Sequence, residues 1–331
     1  MTADSRRARQ RSSFVRASCQ ADPAGLHKAS EDAAARSYWR LEGLDAVLMD
    51  APPADNDLAP WLAMHKLLHD GGVRVPAILA LDVAQGFVLL EDLGRATLLD
   101  TLDEDNADRW FDAAITQLLA IQRITPPREL PGYDDTLLGR ELDLFTEWFL
   151  ERELGITLSG DALQTWQDAR GLLINRALAQ PRVLVHRDFM PRNLMPVDGG
   201  LAVIDFQDAV AGPIAYDPLC LFKDAFVSWP EARIETWLRH YHERAVQAGL
   251  PVPEWPRLRR DVDLIGVHRH LKVIGIFARL KHRDGKSKYL ADGPRFITYL
   301  DAVLPAHAQL APLQALLQRQ VWPAWHAEHG R

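Results

Sequence analysis

LVHRDFMPRNLM, residues 184–195, is the stretch on which the reading of this sequence turns. A short apolar strand runs into His186, Arg187 and Asp188, and Asn193 stands five positions beyond the aspartate. After MPRNLMPVDGG a second apolar run, LAVIDF (201–206), ends on Asp205. Two short apolar runs separated by Pro and Gly signals read as paired strands. Such a hairpin would bring Asn193 and Asp205 side by side, with Asp188 nearby.

Phosphoryl transfer asks for this set of residue types. It needs a carboxylate to orient the attacking hydroxyl and accept its proton, and Mg²⁺ to bridge phosphate oxygens. Mg²⁺ takes hard oxygen ligands, which a carboxylate and an amide carbonyl supply. Asp188 therefore reads as the base, and Asn193 with Asp205 as the metal pair. Each part alone is weak, since an isolated His-x-Asp is more often a turn and VIDF is a common strand ending. The order and spacing together are specific. His186 reads as a brace for the loop, while Arg187 either neutralises a nearby acid or is solvated.

The same order matches the protein-kinase signature of H-R-D, then N, then D-F-G. It departs at Gln207, which stands where the Gly would be, and at Met190, which stands where protein kinases carry Lys. No A-P-E segment follows. These departures argue against a protein kinase and for a small-molecule acceptor.

The bulk properties agree with a soluble enzyme. The 331 residues are 47% hydrophobic and 25% charged, enough for a sizeable core and two lobes. A net charge of −7 provides no basic field for nucleic acid or an anionic membrane. Cys19 and Cys220 cannot build a disulfide framework, so a reducing cytoplasm is the default compartment. No apolar run reaches membrane-spanning length. The start, MTADSRRARQRSSFVR, is rich in Arg and Ser without the apolar segment of a secretory signal, and residues 1–20 read as a flexible basic tail.

Residues 21–93 read as a small β-rich lobe. RSYWRLEG (36–43), AVLMD (46–50), VPAILALD (75–82) and GFVLLEDLG (86–94) are short strand-like runs between turn residues. Between the second and third, DLAPWLAMHKLLHDGG (57–72) has helical apolar spacing and a Gly-Gly stop. The expected order is strand, strand, helix and a hairpin turning at Val83–Gln85. Residues 94–331 are dominated by long amphipathic helices, beginning with ADRWFDAAITQLLAIQRI (107–124). The fold class is α+β: a small β-rich N-terminal lobe for nucleotide and a larger, mainly helical lobe for catalysis and substrate.

HRDFMPRN (186–193), VIDF (203–206) and AGPIAYDPL (211–219) together resemble the aminoglycoside phosphotransferase-like kinase superfamily. That resemblance implies a bilobal protein-kinase-like fold using ATP and Mg²⁺. It also implies that Asp217, in the third element, ties down the catalytic loop, although a plain turn Asp before Pro218 fits the sequence as well. Longer strings resemble the bacterial amino-sugar kinases of cell-wall recycling. They include RSYWR (36–40), VLMDAPP (47–53), ILALDVAQGFVLLEDLG (78–94), HLKVIGIFARL (270–280) and RDGKSKYL (283–290), and they span roughly residues 36–300. This narrower resemblance implies phosphorylation of the anomeric hydroxyl of N-acetylmuramate and N-acetylglucosamine.

On the nucleotide side, SEDAAARSYWR (30–40) lacks the Gly-rich loop of kinases, and AVLMD puts Met49 where a strand Lys is expected. Strand alternation places Arg36, Tyr38 and Arg40 on one face. Either arginine could grip phosphate through its planar fork, or that face is a solvated side over Trp39. Adenine is expected against the backbone of Glu91, Asp92 and Leu93. Sugar contacts are expected from Asp208, Lys223, Asp224, His270 and Arg279, with Arg283 a further candidate. A polar flank on a core helix is the plainer account of Lys272 and Arg279. The partners are then a nucleotide and an amino sugar, without nucleic acid or membrane, and a monomer is expected. An aminoglycoside or other small alcohol as acceptor, and a nucleotide-binding pseudokinase, are the competing readings.

Overall fold

The computed structural model describes residues 3–19, 25–31, 36–41 and 43–329. The chain divides into two compact units. One is Met1–Ile121 with Pro191–Asp208, and the other is Gln122–Met190 with Ala209–Arg331. The fold is α+β, with the antiparallel sheet in the first unit and mostly helix in the second.

The sheet of the first unit contains β1 (Leu26–Glu31), β2 (Ser37–Leu41), β3 (Ala46–Asp50), β4 (Ile78–Asp82) and β5 (Phe87–Glu91). All pairings are antiparallel, in the order β1-β2-β3-β5-β4. Side chains alternate faces along a strand. Leu41, Ala46, Leu48, Phe87 and Leu89 accordingly form one core on one face. Tyr38, Arg40, Val47 and Leu90 emerge on the other. The helix expected at 57–72 is α2 (Ala59–Asp70), and the β4–β5 hairpin turns where the sequence places it.

Residues expected to be a flexible tail form a helix instead, α1 (Ala3–Cys19). Phe14 and Val15 are buried in the sheet core, with Phe14 stacked on Phe87 at 5.3 Å between centroids. Arg7 and Arg11, four residues apart on one helix face, close on the buried Asp50 at 2.5 and 3.0 Å. Arg11 also lies 3.5 Å over the Trp39 ring. A carboxylate leaving water needs such partners, and the basic residues supply them. The composition of the segment hides a two-residue apolar anchor.

A second difference concerns the strands around the opening motif. Arg182–Val185 and LAVIDF do not pair with each other. β6 (Arg182–Val185) pairs with a strand the sequence did not suggest, β9 (Val210–Pro213). The hairpin is made by β7 (Leu194–Val197), read from sequence as part of a loop, with β8 (Gly200–Val203). Asp198 and Gly199 form its two-residue turn, where Gly199 has φ +84° and suits the left-handed geometry such turns require.

Helices of the first unit also include α3 (Leu98–Thr101) and all but the last two residues of α4 (Ala107–Arg123). The second unit holds α5 (Asp135–Leu144), which continues as a π-helical stretch over Phe145–Glu153, then α6 (Gly160–Leu178), α7 (Tyr216–Phe222) and α8 (Glu231–Gln247). After these come α9 (Trp255–Asp284), α10 (Gly293–Val303), α11 (Ala311–Leu316) and α12 (Trp322–His329). Helix α9 is the core element, buried on every side from Asp261 to Gly275. At Gly275 a Cβ would sit 2.4 Å from the Leu144 carbonyl carbon, so only glycine permits that approach. No helix among the described residues is long and apolar enough to cross a membrane.

Candidate active site

In the first unit, the β7–β8 register fixes the two proposed metal ligands. Leu194 pairs with Val203, and the Ile204 amide donates to the Asn193 carbonyl at 3.0 Å. Asn193 just before β7 and Asp205 just after β8 are thereby held at the same end of the hairpin. Asp205 has φ +64°, a left-handed backbone that a non-glycine residue keeps only when its surroundings impose it. Gln207 Nε2 donates to Asp205 Oδ1 at 2.7 Å, and Phe206 is buried against Trp61 and His65. The Gln that replaces the kinase Gly thus orients the carboxylate.

Asn193 and Asp205 lie on the wall of a cavity of about 420 Å³ within this unit. Val47 and Leu90 give it apolar surface, while Arg40, Glu91, Asp92 and Leu93 line it along the end of β5. This is the mix of apolar wall and few polar groups that small-molecule sites use. By strand alternation Met49 shares the face of Val47, and it is fully buried. Arg40 is engaged, forking onto the Asp92 carboxylate and donating to the Gly94 carbonyl at 2.7 Å. That hydrogen bonding, with Asp92 first among the causes, pushes its pKa further up. Arg36 is half-buried ahead of β2 and is not among the lining residues, and residues 32–35 of the segment expected to cover phosphates lie outside the described residues. The amides of Glu91 and Asp92 already donate to the Ala77 and Asp45 carbonyls. The Glu91 side chain is held by Arg74. Arg95 and Thr97 also line the cavity, and nothing in the sequence singled them out, because one Arg after a Gly has no periodicity to betray it.

The second unit carries the loop with Asp188. Asp217, fully buried at the start of α7, accepts from two successive loop amides, His186 at 2.7 Å and Arg187 at 3.0 Å. Burial pushes the Asp217 carboxyl up to about 6, against the pull of His186 and those two amides. His186 is buried and edge-on to Phe189, and its Nδ1 accepts from the Asp188 amide at 3.3 Å. Arg187 has φ +74°. Asp188 itself is half-buried. The division between the units falls between Met190 and Pro191, inside the stretch that joins Asp188 to Asn193.

The expected sugar contacts are placed unevenly. Lys223 is buried and paired with Glu231 at 3.0 Å. The neighbouring Asp224 is fully buried, and His270 on α9 lies 5.0 Å from the Tyr299 ring and 5.5 Å from Phe296. Among the described residues both His270 ring nitrogens lack a hydrogen-bond partner, and burial, with Lys223 and Arg269 nearby, lowers its pKa well below that of free histidine. Arg279 is nine residues farther along α9, about 14 Å at helical rise. Arg283 is exposed and pairs with Asp284 at 2.7 Å, and Asp208 is exposed in the turn after Gln207. Arg269, buried with Nη1 unpartnered among the described residues, was missed, since a polar residue inside a core-helix pattern looks like a flank.

Against known proteins, residues 25–260 match the model of the family described as "Phosphotransferase enzyme family". The chain belongs to that phosphotransferase family. It is 52% identical over 299 residues to a protein of Pseudomonas putida named N-acetylmuramate/N-acetylglucosamine kinase, covering 89% of this chain and 88% of the relative. A Neisseria meningitidis protein of the same name is 44% identical, covering 87% and 88%. Among solved structures, the ADP-bound aminoglycoside phosphotransferase APH(2'')-Ib superposes with a TM-score of 0.60 at 16% identity, covering 86% of this chain and 96% of that one. The choline kinase LicA of Streptococcus pneumoniae gives 0.61 at 14%, covering 89% and 98%. At such identities these two establish the protein-kinase-like fold of the phosphotransferase.

Proposed function

We propose that this phosphotransferase is an ATP-dependent kinase that phosphorylates the anomeric hydroxyl of N-acetylmuramate or N-acetylglucosamine in the cytoplasm. One observation carries the reading: 52% identity across 89% of the chain to a kinase named for those two sugars. Asp188 is the base. It orients the anomeric hydroxyl and accepts its proton as the oxygen forms a bond to the γ-phosphorus. The bond from that phosphorus to the β–γ bridging oxygen breaks, and ADP departs. The anomeric hydroxyl suits a carboxylate base because the ring oxygen makes it more acidic than the other sugar hydroxyls.

In the first unit, adenine lies in the cavity against the end of β5. Since the Glu91 and Asp92 amides are engaged, the Leu93 amide and the backbone carbonyls beside it are the contacts for the base. Arg40 keeps this wall in shape through Asp92 and does not grip phosphate. A hard cation fits Asn193 and Asp205, which would hold it: a carboxylate and an amide carbonyl on one cavity wall are donors that Mg²⁺ would accept. When bound, Mg²⁺ supplies charge neutralisation at the phosphate oxygens. Asp217 holds the loop amides so that Asp188 keeps its place.

The test is a phosphotransfer assay of the purified protein with ATP and three acceptors: N-acetylmuramate, N-acetylglucosamine and an aminoglycoside. Phosphorus NMR then locates the new ester. A sugar 1-phosphate is expected. Consumption of ATP with the aminoglycoside alone, or nucleotide binding without transfer, overturns the reading.

A further inference from the structure

Outside the two sites described, the second unit buries a charged cluster that the proposed reaction does not use. Glu141, on α5, is 5% exposed and sits among three donors. Arg187 Nη2 reaches its Oε1 at 2.6 Å, Lys272 Nζ reaches the same oxygen at 2.8 Å, and the Tyr133 hydroxyl donates to Oε2. Lys272 on α9 also donates to the Tyr216 hydroxyl at 3.1 Å. The Arg187 guanidinium lies 5.5 Å over the Tyr133 ring.

The recipient of this cluster is Arg187, the residue immediately before Asp188. Its backbone is left-handed, its amide is held by Asp217, and its carbonyl accepts from the Cys220 thiol at 3.3 Å. The peptide units on either side of it and its side chain are therefore fixed, each from a different residue. A conformation of this kind persists only where surroundings over-determine it, and the side-chain anchor is Glu141. We propose that Glu141 is a positioning residue, acting through the Arg187 side chain to fix the loop that presents Asp188. This rests on Asp188 being the base.

The structure explains why a carboxylate is needed at 141. Two cations, Arg187 and Lys272, converge on one oxygen of it. An amide there would leave them facing one another with no anion between, and Arg187 is the one carried on the loop. Lys272 is fixed on the core helix.

Two readouts on Glu141→Gln test this. Steady-state kinetics should show kcat falling about 10²-fold, the scale of a misplacement near 1 Å, with KM for ATP within about twofold. Hydrogen exchange should speed up at the amides of 186–188 by at least about tenfold while α6 and α8 stay protected. Arg187→Met leaves Glu141 balanced by Lys272, so it is the gentler variant should Glu141→Gln not fold. It should reproduce both effects, and the double variant should be no worse than either single, because the two residues act as one unit. Unchanged exchange at 186–188, unchanged kcat, a rise in KM alone, or loosening across the whole second unit each overturns the proposal. Should the wild-type protein transfer no phosphate, the proposed function fails on its own, and the exchange measurement still decides whether Glu141 fixes the loop.

Discussion

The Asp217 carboxylate and the Arg187 amide meet at 3.0 Å, and the other oxygen of the same carboxylate takes the His186 amide at 2.7 Å. One fully buried acid thus holds two consecutive peptide units of the loop that carries Asp188. Asn in its place offers one acceptor oxygen and turns an NH₂ toward the second amide. Asp217→Asn should cost about 1–3 kcal/mol for the orphaned group and lower kcat with it. Equilibrium denaturation beside a kcat measurement checks both, and an active, fully stable variant contradicts the assignment.

The same residue gives a pH signature. Burial raises its carboxyl from 3.8 to about 6, so between those values the native protein holds a proton that the unfolded chain has lost. Stability from this group is complete below pH 3.8 and declines as pH rises through about 6, by an amount on the order of 3 kcal/mol. Melts at several pH values should show a decline over that window in the wild type relative to Asp217→Asn.

Glu141 works in the opposite sense. Burial disfavours its ionised form, but Lys272, followed by His268 and Arg187, outweighs burial and holds the carboxyl down at about 2. Its contribution is present above pH 4.5 and lost as pH falls toward 2. Lys272→Met removes the largest attraction and should move the acid-unfolding midpoint to higher pH. An unmoved midpoint contradicts the assignment of Lys272 as the main partner.

The N-terminal helix offers a test away from the chemistry. Phe14 is 8% exposed and stacks on Phe87. Phe14→Ala should destabilise the protein by about 3 kcal/mol, read from denaturant unfolding. A flexible tail would show no change.

These elements mark where sequence sufficed and where it did not. The β4–β5 hairpin and α2 were legible because their apolar periods and Gly stops act locally. That Asn193 and Asp205 stand at one end of a hairpin was legible because an apolar run follows a Pro- and Gly-rich turn there. Strand partners were not legible. Arg182–Val185 pairs with Val210–Pro213 across a long separation, and no local pattern distinguishes that from pairing with the nearer Leu201–Val203. Helix α1 was hidden because Arg7, Arg11 and Asp50 look solvated until the fold brings them together. Glu141, Lys272 and Arg269 were hidden for the same reason, since a charge on a helix reads as surface unless its tertiary partners are known.

The metal pair can be tested through metal dependence. Asp205→Asn removes the charge of the proposed ligand while keeping an oxygen that can accept from Gln207. Activity should then need about tenfold or more Mg²⁺ to reach half its maximum, with a lower ceiling. An unchanged Mg²⁺ titration curve removes Asp205 from the metal site.

The central claim is that Asp188 takes the proton of the attacking sugar hydroxyl, and single-turnover phosphate transfer by Asp188→Asn tests it most directly. The expected rate is about 10²–10⁴-fold below wild type, with nucleotide affinity unchanged and the fold intact by melting. A rate near wild type, with the sugar 1-phosphate still formed, would contradict it.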